Sequence, residues 1–495
     1  MNQLNQRERK AKIICTIGPA SDSEETLTAM INSGMDVARI NFSHGSHEYY
    51  SEVINRIRRV AARSGKPVAI LQDLQGPRLR IGTLTDGHPV ELIEGDQLVI
   101  TTKPIEGTRE RISTNYTKLP QDVKPDDRLL LDDGRLELKV TQVEDTEIST
   151  LVIVGGKLHS YKGINLPGGL ISIPAFTDKD QKDLEFGLSH DLDYVAVSFV
   201  QTAEDIERVR NAMRALYPRQ DAKRGPWWRV DTPIIAKLER PSALDNLDEI
   251  LERCQGVMVA RGDLGVELSP QKVPSAQKKI LERANEFGKI AITATQMLDS
   301  MVDNPSPTRA EASDVANAIF DGTDAVMLSA ETAIGTYPVQ VVQVMDEVIC
   351  EAEQHESKWG RSKELDALLA SPVTAVALAR AARELAKILR VTAIIAFTRS
   401  GRSVRLIYKT RPPVPIMAFT VYSHTCARMA LMRGVNPFLL PRAMSLQEMV
   451  ISAENVLLER SEIEIGQQVV VIAGLPIERM PPSNMVLLHT VGSDI

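Results

Sequence analysis

The sequence contains few cysteines, few aromatic residues and no long apolar run. Its four cysteines, in a chain of 495 residues, lie far apart and form no Cys-x-x-Cys pair: Cys15, Cys254, Cys350 and Cys426. This spacing argues against a zinc site, and it predicts reduced thiols and a cytoplasmic location. No apolar run approaches the roughly 18 residues of a membrane span, and residues 1–12 are polar. We therefore expect neither a membrane anchor nor a signal peptide.

An excess of positive charge is also absent. The net charge is -7, which provides no basic footprint for nucleic acid. The composition, 43% apolar and 25% charged, is typical of a globular protein. A chain of this length is expected to form about two to four domains. Its basic groups should therefore serve specific anion sites or lie on ordinary solvated faces.

The strongest chemical signal is a strand–helix–strand pattern in the middle of the chain. Residues 234–238 and 256–260 are short apolar runs typical of buried strands. Such a unit normally makes a parallel, right-handed crossover, so both strands end on the same side of the sheet. That side receives one ammonium group and two carboxylates, those of Lys237, Glu239 and Asp263.

These three residues suit a hard metal ion and an anionic substrate. Mg²⁺ takes oxygen ligands, often one or two carboxylates with substrate phosphate and water. A lysine beside the metal can neutralise charge on a migrating phosphoryl group. The alternative is a structural ion pair of Lys237 with Glu239, because ion pairs also collect at strand ends.

The rest of the chain places this unit in a larger architecture. Strands and helices alternate up to about residue 81 and again from about 174. Turn pairs and β-branched residues dominate the stretch between them, which predicts a small all-β domain. The sequence therefore predicts an α/β fold: a TIM (β/α)8 barrel over 1–81 and 174–346, a β-barrel lid inserted at 82–173, and an α/β regulatory domain at 347–495.

Polar residues fall repeatedly at the carboxyl ends of the predicted barrel strands. A barrel enzyme builds its site at that face from several strand ends. Their recurrence favours an active site over an isolated ion pair. They are Arg39, Asn41, Asp73, Ser198, Lys237, Glu239, Asp263, Thr295, Ser329 and Glu331.

Two further segments, outside the predicted barrel face, are candidates for a binding site and an interface. Hydroxyls, a glycine and arginines precede a predicted helix in the third domain, and such a loop can cradle phosphate, although a solvated connection would look the same. Its candidate residues are Thr398, Ser400, Gly401, Arg402 and Ser403. Residues 219–229, with Trp227 and Trp228, form either a surface loop or an interface.

Several long motifs resemble the pyruvate kinase family, and the resemblance runs nearly end to end. They occur in the family's order, and motifs of this length are very specific. They are Ala-Arg-Ile-Asn-Phe-Ser-His-Gly at 38–45, Ile-Ala-Lys-Leu-Glu at 235–239, Met-Val-Ala-Arg-Gly-Asp-Leu-Gly at 258–265, Thr-Ala-Thr-Gln-Met-Leu-Asp-Ser at 293–300, and residues 307–331.

The resemblance implies transfer of a phosphoryl group from phosphoenolpyruvate to ADP, giving pyruvate and ATP in the last step of glycolysis. By motif, Glu239 and Asp263 would hold Mg²⁺, with Mn²⁺ as a possible substitute. Lys237 would stabilise the phosphoryl group in flight, and Arg39 would bind phosphate. This chemistry needs positioning and charge neutralisation more than covalent help.

The resemblance also assigns the remaining roles. Ser329 and Glu331 would belong to the relay that protonates the enolate of pyruvate. The substrate carboxylate would meet the backbone of Ala260, Arg261, Gly262 and Asp263, with Thr295 on its other side. Asn41, His44 and Arg80 would lie near the nucleotide. The family also suggests a homotetramer and a phosphorylated small-molecule effector.

One departure from the family pattern concerns potassium. The family's monovalent cation site corresponds to Asn41, Ser43, Asp73 and Leu74, and Leu74 stands where potassium-dependent members have threonine. Arg78 stands where those members carry glutamate, and its fixed positive charge would repel a cation. K⁺ is therefore not expected to be required.

Two other classes of function remain open at this point. A magnesium-dependent lyase or aldolase would also stabilise an enolate, but an inserted lid that excludes water suits phosphoryl transfer better. An inactive binding protein is disfavoured by the intact set of charged residues at the strand ends.

Overall fold

The computed structural model describes residues 9–168, 172–217, 227–360, 374–477 and 481–494. Its first part alternates strands and helices, as the sequence predicts. Ser46 caps the second helix by accepting a hydrogen bond from the Tyr49 N–H. The elements are β1 (Lys12–Thr16), α1 (Glu24–Asn32), β2 (Val37–Asn41), α2 (His47–Ser64) and β3 (Ala69–Asp73).

The chain then leaves the barrel and forms the β insert. Its strands make a six-stranded sheet and a separate two-stranded sheet. The sequence predicted no helix here. The α-helical turn at Leu119–Asp122 is too short to give a helical repeat of apolar residues. The elements are β4 (Val90–Leu92), β5 (Gln97–Thr101), β6 (Arg111–Ser113), α3 (Leu119–Asp122), β7 (Arg128–Leu131), β8 (Leu136–Val143), β9 (Glu147–Val154), β10 (Gly156–Leu158) and β11 (Ile164–Asn165), with a 3-10 turn at Thr85–Gly87.

The barrel resumes with five more strands and the helices between them. Its elements are α4 (Asp178–Ser189), β12 (Tyr194–Val197), α5 (Ala203–Leu216), β13 (Ile234–Leu238), α6 (Pro241–Asp245), α7 (Leu247–Arg253), β14 (Gly256–Ala260), α8 (Arg261–Glu267), α9 (Val273–Glu286), β15 (Ile290–Ala294), α10 (Arg309–Phe320), β16 (Ala325–Leu328), α11 (Ala330–Ala333), α12 (Pro338–Gln354) and α13 (Glu356–Trp359). Short 3-10 turns lie at Trp227–Arg229, Pro270–Lys272 and Asp299–Val302.

The eight barrel strands close on themselves in the order β1-β16-β15-β14-β13-β12-β3-β2. All pair in parallel, and β1 pairs with both β2 and β16. The carboxyl ends of all eight strands therefore meet at one mouth of the barrel. Apolar side chains fill its interior, as in other barrels of this kind.

The last part of the chain is a separate α/β unit around a five-stranded sheet in the order β19-β18-β17-β20-β21, antiparallel only at β21. Together with the closed barrel and the β insert, it confirms the predicted fold class. Its elements are α14 (Thr374–Leu389), β17 (Ala393–Phe397), α15 (Arg402–Lys409), β18 (Ile416–Thr420), α16 (Ser423–Met429), β19 (Val435–Leu439), α17 (Leu446–Glu459), β20 (Gln468–Ala473) and β21 (Met485–Thr490).

Several contacts join this unit to the barrel, among them a buried ion pair and a ring stack. The Lys409 ammonium lies 2.6 Å from an Asp324 carboxylate oxygen, and neither side chain is exposed to solvent. The Trp228 ring stacks on that of His424 in α16, with centroids 4.7 Å apart. Trp228 is therefore an interface residue, whereas residues 219–226 and the Trp227 side chain lie outside the described part of the chain. Over the described ranges, no helix is both long enough and apolar enough to cross a membrane.

Candidate active site

A cavity of about 430 Å³ opens between the barrel mouth and the β insert. Most predicted site residues from the early strands line it, together with charged residues that the sequence did not single out. The lining includes Arg39, Asn41, Ser43, His44, Arg78, Arg80, Asp132, Asp133, Tyr161, Lys162, Asn165, Ser198, Phe199, Lys237, Glu239, Arg240 and Asp263.

Lys237 is the centre of the charge cluster. Its ammonium nitrogen lies 2.9 Å from Glu239 Oε1 and 3.3 Å from Asp73 Oδ1, and it donates a 2.7 Å hydrogen bond to Ser198 Oγ. Burial alone would lower the pKa of Lys237, but the carboxylates of Asp73 and Glu239 outweigh it and raise that pKa. The lysine therefore stays charged at every working pH.

Asp73 fixes the second cation of the cluster. Its Oδ2 accepts a 2.7 Å hydrogen bond from Arg39 Nε, and Arg39 Nη1 donates to Thr16 Oγ1 at 2.9 Å. Burial opposes ionisation of Asp73, but Lys237 and Arg39 keep its pKa below the usual value. One ionised carboxylate thus anchors both the arginine and the lysine at the cavity floor.

Glu239 and Asp263 form the predicted metal pair. Glu239 Oε2 accepts a 2.7 Å bond from the Phe199 N–H, whereas the described residues donate no hydrogen bond to the Asp263 carboxylate. Asp263 follows β14, whose bounds match the predicted strand at 256–260, and lies in the first turn of α8. Burial and the nearby Glu239 raise the pKa of Asp263 to about 7.

This donor set fits a divalent ion. Two neighbouring carboxylates, one of them without a hydrogen bond, supply the oxygen ligands that a hard cation prefers. No group of three or more His, Cys, Asp or Glu side chains within the described ranges could hold a metal by itself. The remaining ligands must therefore come from substrate and solvent oxygens, as is usual for magnesium sites in phosphoryl transfer.

Thr295 and Gln296, in the loop after β15, contact the start of α8. Thr295 Oγ1 accepts a 2.7 Å hydrogen bond from the Gly262 N–H, and Thr295 has a positive φ of 67°. The Arg261 guanidinium donates to the Thr295 and Gln296 carbonyls at 2.7 and 3.0 Å and pairs with Asp314 at 2.6 Å. Arg261 therefore braces this strained loop with its side chain, a role that the sequence did not indicate.

The structure does not bring Ser329 and Glu331 to the lining of the cavity. Glu331 is buried, and its two carboxylate oxygens accept from the Ser329 N–H at 2.6 Å and the Leu298 N–H at 3.3 Å. Burial raises the pKa of Glu331. The buried Ser329 hydroxyl has no hydrogen-bond partner among the described residues. Ala260 and Thr295 likewise lie outside the lining.

The three residues predicted near the nucleotide, Asn41, His44 and Arg80, all line this cavity. Asn41 Oδ1 accepts a 3.1 Å bond from the Ser43 N–H, which fixes the turn after β2. Burial lowers the pKa of His44, and the charges of Arg78 and Arg80 lower it further. His44 is therefore neutral near pH 7.

The residues of the predicted monovalent cation site separate in the structure. Asn41 and Ser43 line the cavity, and Asp73 lies beneath the two cations. The Leu74 side chain, 1% exposed, packs in the apolar cluster behind the barrel wall. Its carbonyl oxygen already accepts a 2.8 Å hydrogen bond from Ser198 Oγ.

The predicted phosphate loop lines a second cavity, of about 600 Å³, in the C-terminal unit. Thr398 Oγ1 accepts a 3.0 Å bond from the Gly401 N–H. Gly401 adopts a left-handed φ of 78° and is followed directly by α15. Ser400, Arg402 and Ser403 all border the cavity, so the hydroxyl and guanidinium groups of the loop share one space.

The closed barrel, the β insert and the cluster of cations and carboxylates define a barrel enzyme that handles phosphorylated anions with a divalent metal. The barrel model of pyruvate kinase matches residues 8–342, and the model of the pyruvate kinase alpha/beta domain matches residues 376–489. The chain belongs to the pyruvate kinase family.

Individual relatives agree with these matches. A pyruvate kinase of Mycobacterium tuberculosis is 39% identical over 492 residues, which cover 98% of this chain and 99% of the relative. A pyruvate kinase of Staphylococcus aureus is 41% identical over 490 residues, covering 98% of this chain and 81% of the relative. The crystal structure of a Cryptosporidium parvum pyruvate kinase superposes with a TM-score of 0.89 at 36% identity, covering 98% and 96% of the two chains. The protein is thus a phosphotransferase whose substrates are phosphoenolpyruvate and ADP, or pyruvate and ATP, and whose family requires a divalent metal.

Proposed function

We propose that the cavity at the barrel mouth is where this protein transfers a phosphoryl group from phosphoenolpyruvate to ADP. The bond between phosphorus and the enol oxygen breaks, and a bond to a terminal oxygen of ADP forms. Lys237 stabilises the moving phosphoryl group and Arg39 binds the phosphate. The observation that supports these roles is the permanent charge on Lys237, held at the cavity floor by Asp73 and Glu239.

Glu239 and Asp263 would hold Mg²⁺, or Mn²⁺ in its place. When bound, the ion neutralises charge on the substrate oxygens. The substrate carboxylate is proposed to meet the backbone of 260–263 and the Thr295 hydroxyl. Because Gly262 N–H is bonded to Thr295 Oγ1, binding would exchange that internal bond for one to the substrate. Asn41, His44 and Arg80 would contact the nucleotide.

Transfer leaves the enolate of pyruvate, which must gain a proton at its methylene carbon. We assign this relay to Ser329 and Glu331, as the family motif suggests. An unpartnered Ser329 hydroxyl beside a buried carboxyl group whose pKa is raised supports the assignment, because a protonated carboxyl group can donate a proton and a free hydroxyl can relay it. Their distance from the cavity lining means that solvent or substrate must complete the path.

Further features concern regulation, assembly and location. The cavity at 398–403 would bind a phosphorylated effector, the assembly would be a homotetramer, and the location would be cytoplasmic. K⁺ would not be required, since Arg78 borders the cavity and Leu74 offers no hydroxyl. The domains would span 1–81 with 174–346, 82–173, and 347–495.

A coupled assay tests the central proposal. ATP formation from phosphoenolpyruvate and ADP should require Mg²⁺ and should fall at least a hundredfold in Asp263→Asn. Carbon–carbon cleavage of 2-oxo acids at a comparable rate, without ATP formation, would instead support the lyase alternative.

A further inference from the structure

One side-chain contact joins the β insert to the helix that carries Asp263. Asn165 Nδ2 donates a 3.1 Å hydrogen bond to Glu267 Oε1. Asn165 ends β11, where it pairs with Leu130 of β7, and Asp132 and Asp133 follow β7 directly and line the cavity. The contact therefore acts on the edge of the insert that faces the active site.

Glu267 lies on the same short helix as Asp263, so a contact at Glu267 can affect the position of Asp263. It is the last residue of α8 and lies four positions after Asp263, so the two carboxylates share one face of the helix. A helix of seven residues has little stability of its own. The position of α8 must therefore depend on what its side chains touch.

A buried arginine compensates the charge of Glu267. Burial raises the pKa of Glu267, whereas the bond from Asn165, the charge of Arg240 and a hydrogen bond from the Leu166 backbone lower it. Arg240 follows Glu239 directly, is 5% exposed and lies over the Phe199 ring at 5.2 Å. Its Nε has no hydrogen-bond partner among the described residues. The charges of Glu267 and Glu239 both act on this guanidinium, and a buried cation needs such nearby negative charge.

We propose that Asn165 and Glu267, with Arg240 as the compensating charge, couple docking of the β insert to the placement of Asp263. The three are positioning residues. When the insert is docked, the Asn165 bond holds α8 so that Asp263 faces Glu239. When the insert is released, α8 loses that restraint and the carboxylates lose their spacing. The inference rests on the proposed role of Asp263 as a metal ligand.

Steady-state kinetics of three variants and their combination test the coupling. Asn165→Ala should lower kcat about tenfold, the size expected for a lost bond to a charged acceptor. Glu267→Ala should do the same, and Glu267→Gln, which keeps an acceptor oxygen, should retain at least half of wild-type kcat. The double variant Asn165→Ala/Glu267→Ala should be no worse than Glu267→Ala, because Asn165 acts through its bond to Glu267. Gln142→Ala is the matched control, since it removes an amide–carboxylate bond to Glu144 within the insert.

Two measurements that do not depend on turnover complete the test. Dyes on cysteines introduced at the exposed positions Glu94 and Glu282 report the distance between insert and barrel, since the native cysteines are all buried. With phosphoenolpyruvate and Mn²⁺ present, Asn165→Ala should show a wider distance distribution than Gln142→Ala. Free Mn²⁺, measured by electron paramagnetic resonance, should show at least threefold weaker binding in both Asn165→Ala and Glu267→Ala.

Mn²⁺ binding by Asp263→Asn distinguishes the metal role of Asp263 from the coupling through Asn165 and Glu267. Unchanged Mn²⁺ binding in Asp263→Asn would overturn the proposed metal role and the inference with it. Weak binding in Asp263→Asn, together with wild-type binding, distance and kcat in Asn165→Ala, would overturn the coupling alone. Additive losses in the double variant would also overturn it.

Discussion

Replacement of Lys237 by methionine removes the ammonium group but keeps most of the side-chain volume. The fold should survive, because both carboxylates keep a second partner. Asp73 retains Arg39 Nε at 2.7 Å, and Glu239 retains the Phe199 N–H at 2.7 Å. Breaking a buried ion pair costs about 3–5 kcal/mol when it leaves a charge uncompensated. With these partners in place, we expect a loss of unfolding free energy nearer to 2 kcal/mol, on the order of one or two hydrogen bonds to charged groups.

The catalytic loss should be larger and selective. Removing a preorganised electrostatic contact typically costs on the order of a hundredfold to a thousandfold in rate, which is about 3–4 kcal/mol in activation free energy. ATP formation should suffer that loss, whereas exchange of the pyruvate methyl protons with D₂O, followed by NMR, should suffer much less because no phosphoryl group moves. Lys278→Met, which removes a partly exposed ion pair with Asp321 on the barrel exterior, is the control. Equal losses in the two assays would refute the proposed role of Lys237.

Three further predictions concern other sites. Ser400→Ala/Arg402→Ala should abolish activation by a panel of sugar phosphates and leave turnover at saturating phosphoenolpyruvate nearly unchanged; activation at wild-type strength would make the loop a mere connection. Activity in a sodium- and potassium-free buffer should rise less than tenfold when potassium is added at constant ionic strength, and Arg78→Glu/Leu74→Thr should increase that dependence. Lys409→Met should cost about 3 kcal/mol in urea unfolding, since it leaves the buried Asp324 with only the Ala291 N–H and the more distant Arg411 as partners; Lys139→Met, at an exposed pair with Asp126, should leave the unfolding free energy nearly unchanged.

The sequence was most informative where local pattern and site coincide. Lys237 and Glu239 are two positions apart on a strand, so alternation alone places both side chains at the same face. Their 2.9 Å separation follows from that spacing. The closed barrel likewise follows from repeated short apolar runs and their helices, because parallel strands need such crossovers.

The sequence was least informative about features that no local pattern encodes. Asp263 lies in the first turn of α8, which begins at Arg261 without a side-chain cap, so no capping residue marked the helix boundary. The Asn165–Glu267 bond links residues 102 positions apart in the chain, and no local pattern reports such a contact. Asp133 was visible only as half of a turn pair, whereas the fold of the insert places it in the cavity wall.

The charges at the cavity floor explain why the site suits a divalent ion. Two cations, Arg39 and Lys237, face three carboxylates, those of Asp73, Glu239 and Asp263, so the fully ionised cluster carries a net charge of 2 - 3 = -1. Without a further cation, protonation of Asp263 reduces the excess negative charge of the cluster. The pKa of Asp263, raised to about 7, reflects that excess together with burial. A divalent ion changes the sign of the cluster to +1. With the ion bound, the floor would add to the attraction that the cavity's arginines exert on the phosphate and carboxylate of phosphoenolpyruvate. Asp263, the carboxylate proposed to take the ion together with Glu239, lies on the helix that contacts the β insert.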